Sequence, residues 1–293
     1  MNFAIRYETT YRYDAPVTDN LNALRVRPAT TATQRTDDFH VRIVPEARVH
    51  RHTDYFGTEV IEFGIPKAHE HLTVEVRAHV VTSPPPEPPE CPWEDLATAA
   101  YAQAAGEFLL PTEGEPTEEE LADLQAVVRA RTPLATVRLL CELIPDRFAY
   151  DQHATYVGSS VQDLLAAGGG VCQDFVHLGL LLLRRQGIAA RYVSGYLWAA
   201  SDDPDDGQDS LEVHTHAWIE ALLPDSGRRG EPVWVGADPT NRSLARETHV
   251  KIGHGRHYAD VPPIKGVFRG TAFAEHEAVV GMTRLDASTS ARP

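Results

Sequence analysis

Cysteine is scarce in this chain: Cys91, Cys141 and Cys172 are the three among 293 residues. An odd count this small builds no disulfide framework and fits a reducing, cytoplasmic setting with at least one free thiol, although counting alone leaves a Cys91–Cys141 bridge open. Positive charge is also in short supply, with 27 Lys and Arg against 42 Asp and Glu and a net charge of -15. No basic cluster interrupts that balance, so a phosphate backbone would be repelled and nucleic acid is set aside as a partner. No apolar run approaches the length of a membrane span. The opening Met1-Asn-Phe-Ala-Ile-Arg-Tyr-Glu8 has neither a basic n-region nor an apolar h-region, so neither export nor a membrane partner is expected. No internal repeat is visible. What remains is 42% hydrophobic and 24% charged, an ordinary composition for one large or two moderate globular domains.

The composition changes once along the chain. Residues 1–83 are rich in β-branched and aromatic residues that alternate, as in Phe39-His-Val-Arg-Ile-Val44, Glu59-Val-Ile-Glu-Phe63 and Leu72-Thr-Val-Glu-Val-Arg-Ala-His-Val-Val81. This pattern predicts half-buried antiparallel strands in an all-β, sandwich-type N-terminal domain, with turns at Asp14-Ala-Pro16, Asp54-Tyr-Phe-Gly57 and Gly64-Ile-Pro66. The domain has no cysteine, and its histidines form no metal-ligand set. Residues 84–92 are a proline-rich linker, stiff and poor in donors. Residues 93–285 then carry helical patterns, with Thr117-Glu-Glu-Glu120 as a capping box and Thr132-Pro133 opening a helix that should stop before Pro145. Ser160-Val-Gln-Asp163 opens a shorter one. Strands are predicted over 190–197, 213–222 and 233–238, a loop-like course is predicted beyond Asp260, and 286–293 reads as a disordered tail. A helix packed on an antiparallel sheet, an α+β domain, follows.

The chemistry centres on Gly168-Gly-Gly-Val-Cys172-Gln-Asp-Phe-Val-His177, which continues as an apolar run to Leu183. Apolar residues all round predict a fully buried central helix, and the glycines put Cys172 in its first turn. There the free N–H groups and positive dipole end favour a thiolate and could hold an oxyanion. Taken alone, Cys172 would be one more buried cysteine, behaving as a small hydrophobe. A thiol nucleophile needs a base, and the base needs an orienting group. Strand alternation puts His214, His216 and Trp218 on one face, and Asp238 closes the next strand before Pro239. If the two strands are neighbours, Asp238 reaches the His216 imidazole from the side away from the sulfur. A competing zinc site would join the His-x-His pair to His249, His254 or His257, but no Cys or carboxylate completes it at the usual short spacing. The five aspartates between residues 202 and 209 do not follow the spacing of a calcium loop and read as a solvated turn. Asp174 and His177 lie at unsuitable helical offsets to partner Cys172.

Gly-Gly-Gly-Val-Cys172-Gln-Asp-Phe-Val-His, Thr-His216-Ala-Trp-Ile-Glu and Asp238-Pro-Thr-Asn resemble the three core motifs of the bacterial transglutaminase-like superfamily, in the same chain order. Residues 1 to 85 resemble the β-rich region that precedes that core, and Gly255-Arg-His-Tyr-Ala-Asp-Val-Pro-Pro-Ile-Lys-Gly266 its C-terminal motif. The resemblance implies a papain-like α+β core with Cys172 as nucleophile, His216 as general base and acid, and Asp238 as orienting carboxylate, with no cofactor. It also implies a cysteine-dependent amide or peptide hydrolase, or an acyltransferase, acting on a peptide or protein amide through a thioester. The alternatives are a protein-glutamine transglutaminase proper and a non-catalytic binding module that retains the fold; the second would be expected to have lost one of the three residues. Two positions depart from the pattern. His257 stands where an acidic residue is usual, and Gln173 follows the cysteine where animal transglutaminases have tryptophan, which argues against carrying over animal substrate preference or calcium activation.

Overall fold

A 23-residue strand, β1 (Asn2–Leu24), is the spine of the N-terminal half. The computed structural model describes residues 1–112, 115–199, 210–213, 215–225, 227 and 231–285; His214, the acidic stretch 202–209 and the tail 286–293 lie outside the described residues. β1 pairs along residues 2–12 with β5 (His69–Thr82), whose other edge takes β2 (Gln34–Val44). Farther on, residues 20–24 of β1 pair with β4 (Glu59–Ile65), which carries β3 (Val49–Thr53). The turn predicted at Asp14-Ala-Pro16 is instead a corner within one strand. Pro16 cannot donate to a ladder, so pairing is interrupted between Arg12 and Val17 while the chain stays extended. The expected sandwich is therefore one sheet curled through β1, over a core that includes Phe3, Ile5, Tyr7, Leu72 and Val74.

The linker leads to α1 (Ala99–Ala105) and α2 (Ala122–Val128). Thr117 and Glu120 do exchange capping hydrogen bonds, but through a turn that precedes α2. α3 (Pro133–Arg147) opens at the Thr132 cap and continues through Pro145, beyond its predicted end. Buried Ile144 and Phe148 anchor that last turn, and the Phe148 N–H closes it on the Ile144 carbonyl. After the two-residue β6 (Ala149–Tyr150), α4 (Val161–Ala167) and β7 (Gly169–Gly170) comes α5 (Cys172–Arg185). Phe175, Val176, Leu178 and Leu180 to Leu183 are each at most 2% exposed, the all-round burial its sequence predicts.

α5 lies on a five-stranded antiparallel sheet formed by β8 (Ala190–Leu197), β10 (Thr215–Asp225), β11 (Glu231–Asp238), β12 (Ser243–Leu244) and β13 (His249–Gly255). Gly179 sets the contact distance. A Cβ there would stand 2.4 Å from Ile219 Cδ1, so alanine would overpack the interface at a cost of about 1–3 kcal/mol.

Three segments leave this half and complete the first sheet. β9 (Ser210–Val213) pairs with β15 (Ala274–Arg284), β15 runs beside β1, and β14 (Ile264–Arg269) pairs with the far end of β1. The loop predicted beyond Asp260 is thus largely strand. Its apolar positions, including Val280 and Met282, are buried only because β1 is beside them, information no local pattern carries.

Candidate active site

Gly168 ends α4 in the left-handed region, at φ 71°, and the chain then pairs briefly with Ala149 and Tyr150 before turning into α5. Asp174 clamps that turn: its Oδ2 accepts the Val171 N–H at 2.8 Å and the Thr155 hydroxyl at 2.6 Å. Gly170 has to be glycine, because a Cβ would sit 2.6 Å from the same oxygen. Cys172 is consequently the first residue of the helix and half-buried, with its N–H among the unpaired donors of the first turn. Asp174 is therefore the cap of α5, a role its offset from Cys172 did not indicate. His177 accepts the Tyr258 N–H at 3.2 Å on Nε2, and burial pushes it down to about 4, keeping it neutral. Cys91 and Cys141 are buried and unpaired elsewhere.

His216 enters from the sheet. Its cross-strand neighbour on β8 is Gly195, where a Cβ would fall 2.5 Å from the Trp218 ring, so Trp218 can lie across the strand beside His216. The His216 Nε2 is 2.8 Å from Asp238 Oδ2, and the Cys172 thiol borders the same cleft as the imidazole and interacts with it. Because Nε2 faces the carboxylate, Nδ1 is the ring nitrogen available to the thiol. Burial opposes a charge on His216, yet the hydrogen bonds to Asp238 and Cys172 outweigh it and push the pKa up to about 10.

Asp238 is fully buried. Its Oδ1 accepts the N–H groups of Thr240 and Asn241 at 3.0 and 3.2 Å. Its Oδ2 accepts from His216, from Asn241 Nδ2 at 2.7 Å and from His249 Nε2 at 3.1 Å. Burial alone would raise this carboxyl; the hydrogen bonds from His216 and His249 hold it well below the usual carboxylate range. All three residues predicted from the sequence thus meet at one point. Asn241 and His249 complete the set; sequence reasoning weighed His249 only as a zinc ligand and gave Asn241 no role. Asn241 stands in the Asp238-Pro-Thr-Asn motif, a usable signal, whereas His249 reaches Asp238 only because β13 flanks β8 on the same sheet.

His216, Asp238 and His249 each offer one atom within 4.8 Å of the others, the one group among the described residues that could hold a metal ion. The donor pattern does not fit one. The Arg246 N–H donates to His249 Nδ1 at 3.2 Å, so the ring proton sits on Nε2 and points at Asp238. A metal would need that nitrogen bare. Of the other histidines considered for zinc, His254 is bound to Arg191 and His257 caps the turn at Ala259.

Cys172 and His216 open on a cleft of about 580 Å³. Tyr192 and Ser194 of the five-stranded sheet form one side, while Tyr7 and Tyr11 of β1 and His276 of β15 form the other.

Residues 3–81 match the bacterial transglutaminase-like N-terminal region, and residues 122–239 the transglutaminase-like superfamily. An uncharacterized protein of Mycobacterium leprae is 34% identical over 281 residues, 95% of this chain and 97% of that protein. A protein-glutamine gamma-glutamyltransferase of Pseudomonas aeruginosa is 29% identical over 171 residues, 55% of this chain and 24% of that enzyme. A crystal structure of a candidate cysteine protease from Cytophaga hutchinsonii superposes with a TM-score of 0.74 at 22% identity, covering 99% of this chain and 92% of that one. With both halves matched and a relative aligned from end to end, the chain belongs to the transglutaminase-like superfamily.

Proposed function

We propose that this protein is a cysteine-dependent amide hydrolase or acyltransferase in which Cys172 is the nucleophile, His216 the general base and acid, and Asp238 the orienting carboxylate. The observation that carries the reading is His216 hydrogen-bonded to a fully buried carboxylate and lining the same cleft as the half-buried thiol at a helix N-terminus. With His216 already protonated, Sγ attacks the amide carbon as a thiolate, and a C–S bond forms. The carbonyl oxygen becomes an oxyanion facing the N–H of Cys172. His216 then returns the proton to the leaving nitrogen, the C–N bond breaks, and a thioester and an amine result. Water, deprotonated by His216, converts the thioester to a free acid and restores the thiol; an amine in its place would give a new amide.

Hydrolysis or narrow amide processing is the proposed outcome in preference to broad protein crosslinking, because the thiol lies inside a cleft walled by two sheets. A reducing, cytoplasmic setting is part of the proposal, supported by three cysteines that are all unpaired. The test incubates the protein with a panel of glutamine-containing and other peptide amides plus a labelled primary amine, with Cys172→Ala as control. A free acid or shortened peptide formed only with Cys172 present supports hydrolysis. Label incorporated at glutamine would assign transfer instead, the activity named for the Pseudomonas aeruginosa relative. Equal product from Cys172→Ala would sink the nucleophile assignment.

A further inference from the structure

We propose that the curled N-terminal sheet is the substrate-selecting wall of the cleft, and that the cleft accepts amide donors whose side chain beside the reacting carbonyl is uncharged and aromatic or apolar. The inference rests on the reading of Cys172 as nucleophile. Asp, Glu, Lys and Arg make up 24% of the chain, yet none of the described residues around the cleft is of these four types. Charge is not excluded from the neighbourhood. A second cavity of about 360 Å³, bordered by Trp218 and His249, contains Arg191, Glu220 and Lys251, with Glu220 2.6 Å from each cation. Those residue types are gathered in the second cavity, whereas beside the thiol the charged pair is His216 with the buried Asp238.

Tyrosines replace them. Tyr7, Tyr11, Tyr150, Tyr192 and Tyr258 all border the cleft, and Tyr192 meets Tyr258 edge to face at 6.2 Å. On the N-terminal wall, register sets Tyr11 opposite His276 and Thr9 opposite Ala278. The Tyr11 and His276 rings stack at 4.4 Å, and the imidazole is fixed by Thr9 Oγ1, 2.8 Å from its Nε2. Burial pushes Tyr7 up to about 12, so that phenol stays neutral. A volume of about 580 Å³ lies within the range of small-molecule pockets and suits one or two residues of a substrate. A charged side chain brought here would lose water and meet no Asp, Glu, Lys or Arg, the His216 charge being already paired with Asp238, whereas an aromatic ring would find flat, apolar faces to stack on.

The experiment uses the full chain and three alkylating probes: N-benzyl chloroacetamide and its para-carboxylate and para-aminomethyl analogues, whose charges sit across the ring from His216. Each forms an S–C bond to Cys172 as the C–Cl bond breaks and chloride leaves, and rates are read by peptide mass spectrometry against chloroacetamide. The benzyl probe should outpace both charged analogues by roughly a hundredfold, the penalty of an unpaired buried charge. Tyr11→Ala should pull the benzyl-to-chloroacetamide ratio toward one. Ala278→Lys should instead favour the carboxylate probe over the ammonium probe, a gain that misfolding cannot imitate. Equal rates for all three probes at a reactive Cys172 would overturn this inference alone. Failure of every probe, chloroacetamide included, would overturn the nucleophile assignment on which it rests.

Discussion

Asp238→Asn changes one atom and should cost far more than its size suggests. Both oxygens of Asp238 are already acceptors: Oδ1 for the N–H groups of Thr240 and Asn241, Oδ2 for His216, His249 and Asn241. An asparagine has to put its NH2 on one side or the other, and on either side donors then face a donor. The bonds lost are charge-assisted, about 1.5–3 kcal/mol each, and every buried group left unpaired costs about 1–3 kcal/mol more. Removing one partner of a buried ion pair typically costs about 3–5 kcal/mol, and we expect a stability loss of that size, a large part of the usual ~5–15 kcal/mol. His216 should respond in step. Without the carboxylate, burial is opposed by the Cys172 hydrogen bond alone, and the imidazole should lose its proton well below about 10. Urea unfolding measures the first effect, and NMR of histidine labelled at Cε1, followed from neutral to alkaline pH, measures the second. An Asp238→Asn protein within about 1 kcal/mol of wild type, with His216 still titrating near 10, would refute the reasoning.

His249→Phe keeps a ring edge against Trp218, now at 5.2 Å, and removes one donor from Asp238. Turnover should fall less than in Asp238→Asn because His216 and Asn241 still hold the carboxylate, and His249→Gln should recover part of the loss; equal losses in His249→Phe and Asp238→Asn would contradict a supporting role. Iodoacetamide should label Cys172 ahead of Cys91 and Cys141, whose thiols burial pushes up to about 11 and about 12; peptide mass spectrometry gives the order, and earlier labelling of either buried cysteine would count against the assignment. His216 is raised from 6.5 to about 10, so its contribution to stability is complete below 6.5 and disappears as pH climbs through 10. The stability difference between wild type and His216→Phe should therefore shrink over that interval, a comparison in which other groups cancel, among them Lys251, pushed down to about 8 by burial. Residues 93–285 expressed without the N-terminal strands should fail to fold; a cooperative unfolding transition in that fragment would contradict this.

The site was more legible in the sequence than the architecture around it. Cys172 could be placed because glycines and an apolar run are local signals, and His216 and Asp238 because strand alternation and a terminating proline are local as well. Their pairing was conditional on β10 and β11 being neighbours, and the register that aligns Ile219 with Ala237 supplies that condition. What escaped was non-local. β1 reads as two strands separated by a turn because Pro16 looks like a break, and only the partners on both sides of it show one continuous strand changing course. His249 carries no local mark distinguishing it from the chain's other histidines, since its role depends on a strand entering from the opposite edge of β8. Pro145 misled for a simpler reason: one missing N–H near a helix end is outweighed by the burial of Ile144 and Phe148.

The two halves named from composition are energetically one body. Tyr196, Trp198, Val250 and Ile252 belong to strands or flanks of the catalytic sheet, yet they are at most 5% exposed and pack in the same core as Phe3 and Tyr7. Exposing four such side chains costs about 1.5–3 kcal/mol each, a sum comparable with the whole stability of an ordinary domain. Backbone pairing follows the same logic, because β9, β14 and β15 have their ladder partners in the first sheet. The order of pairing then links the proposed selecting wall to the proposed catalytic site. Val213 pairs with Val280 in the sheet that carries Tyr7 and Tyr11, and Thr215 pairs with Tyr196 in the catalytic sheet. Val213 and Thr215 thus pair in different sheets, and the residue after Thr215 is His216. The proposed base therefore stands next in sequence to residues anchored in both sheets, so a displacement of the N-terminal sheet should be felt at the imidazole before anywhere else in the site.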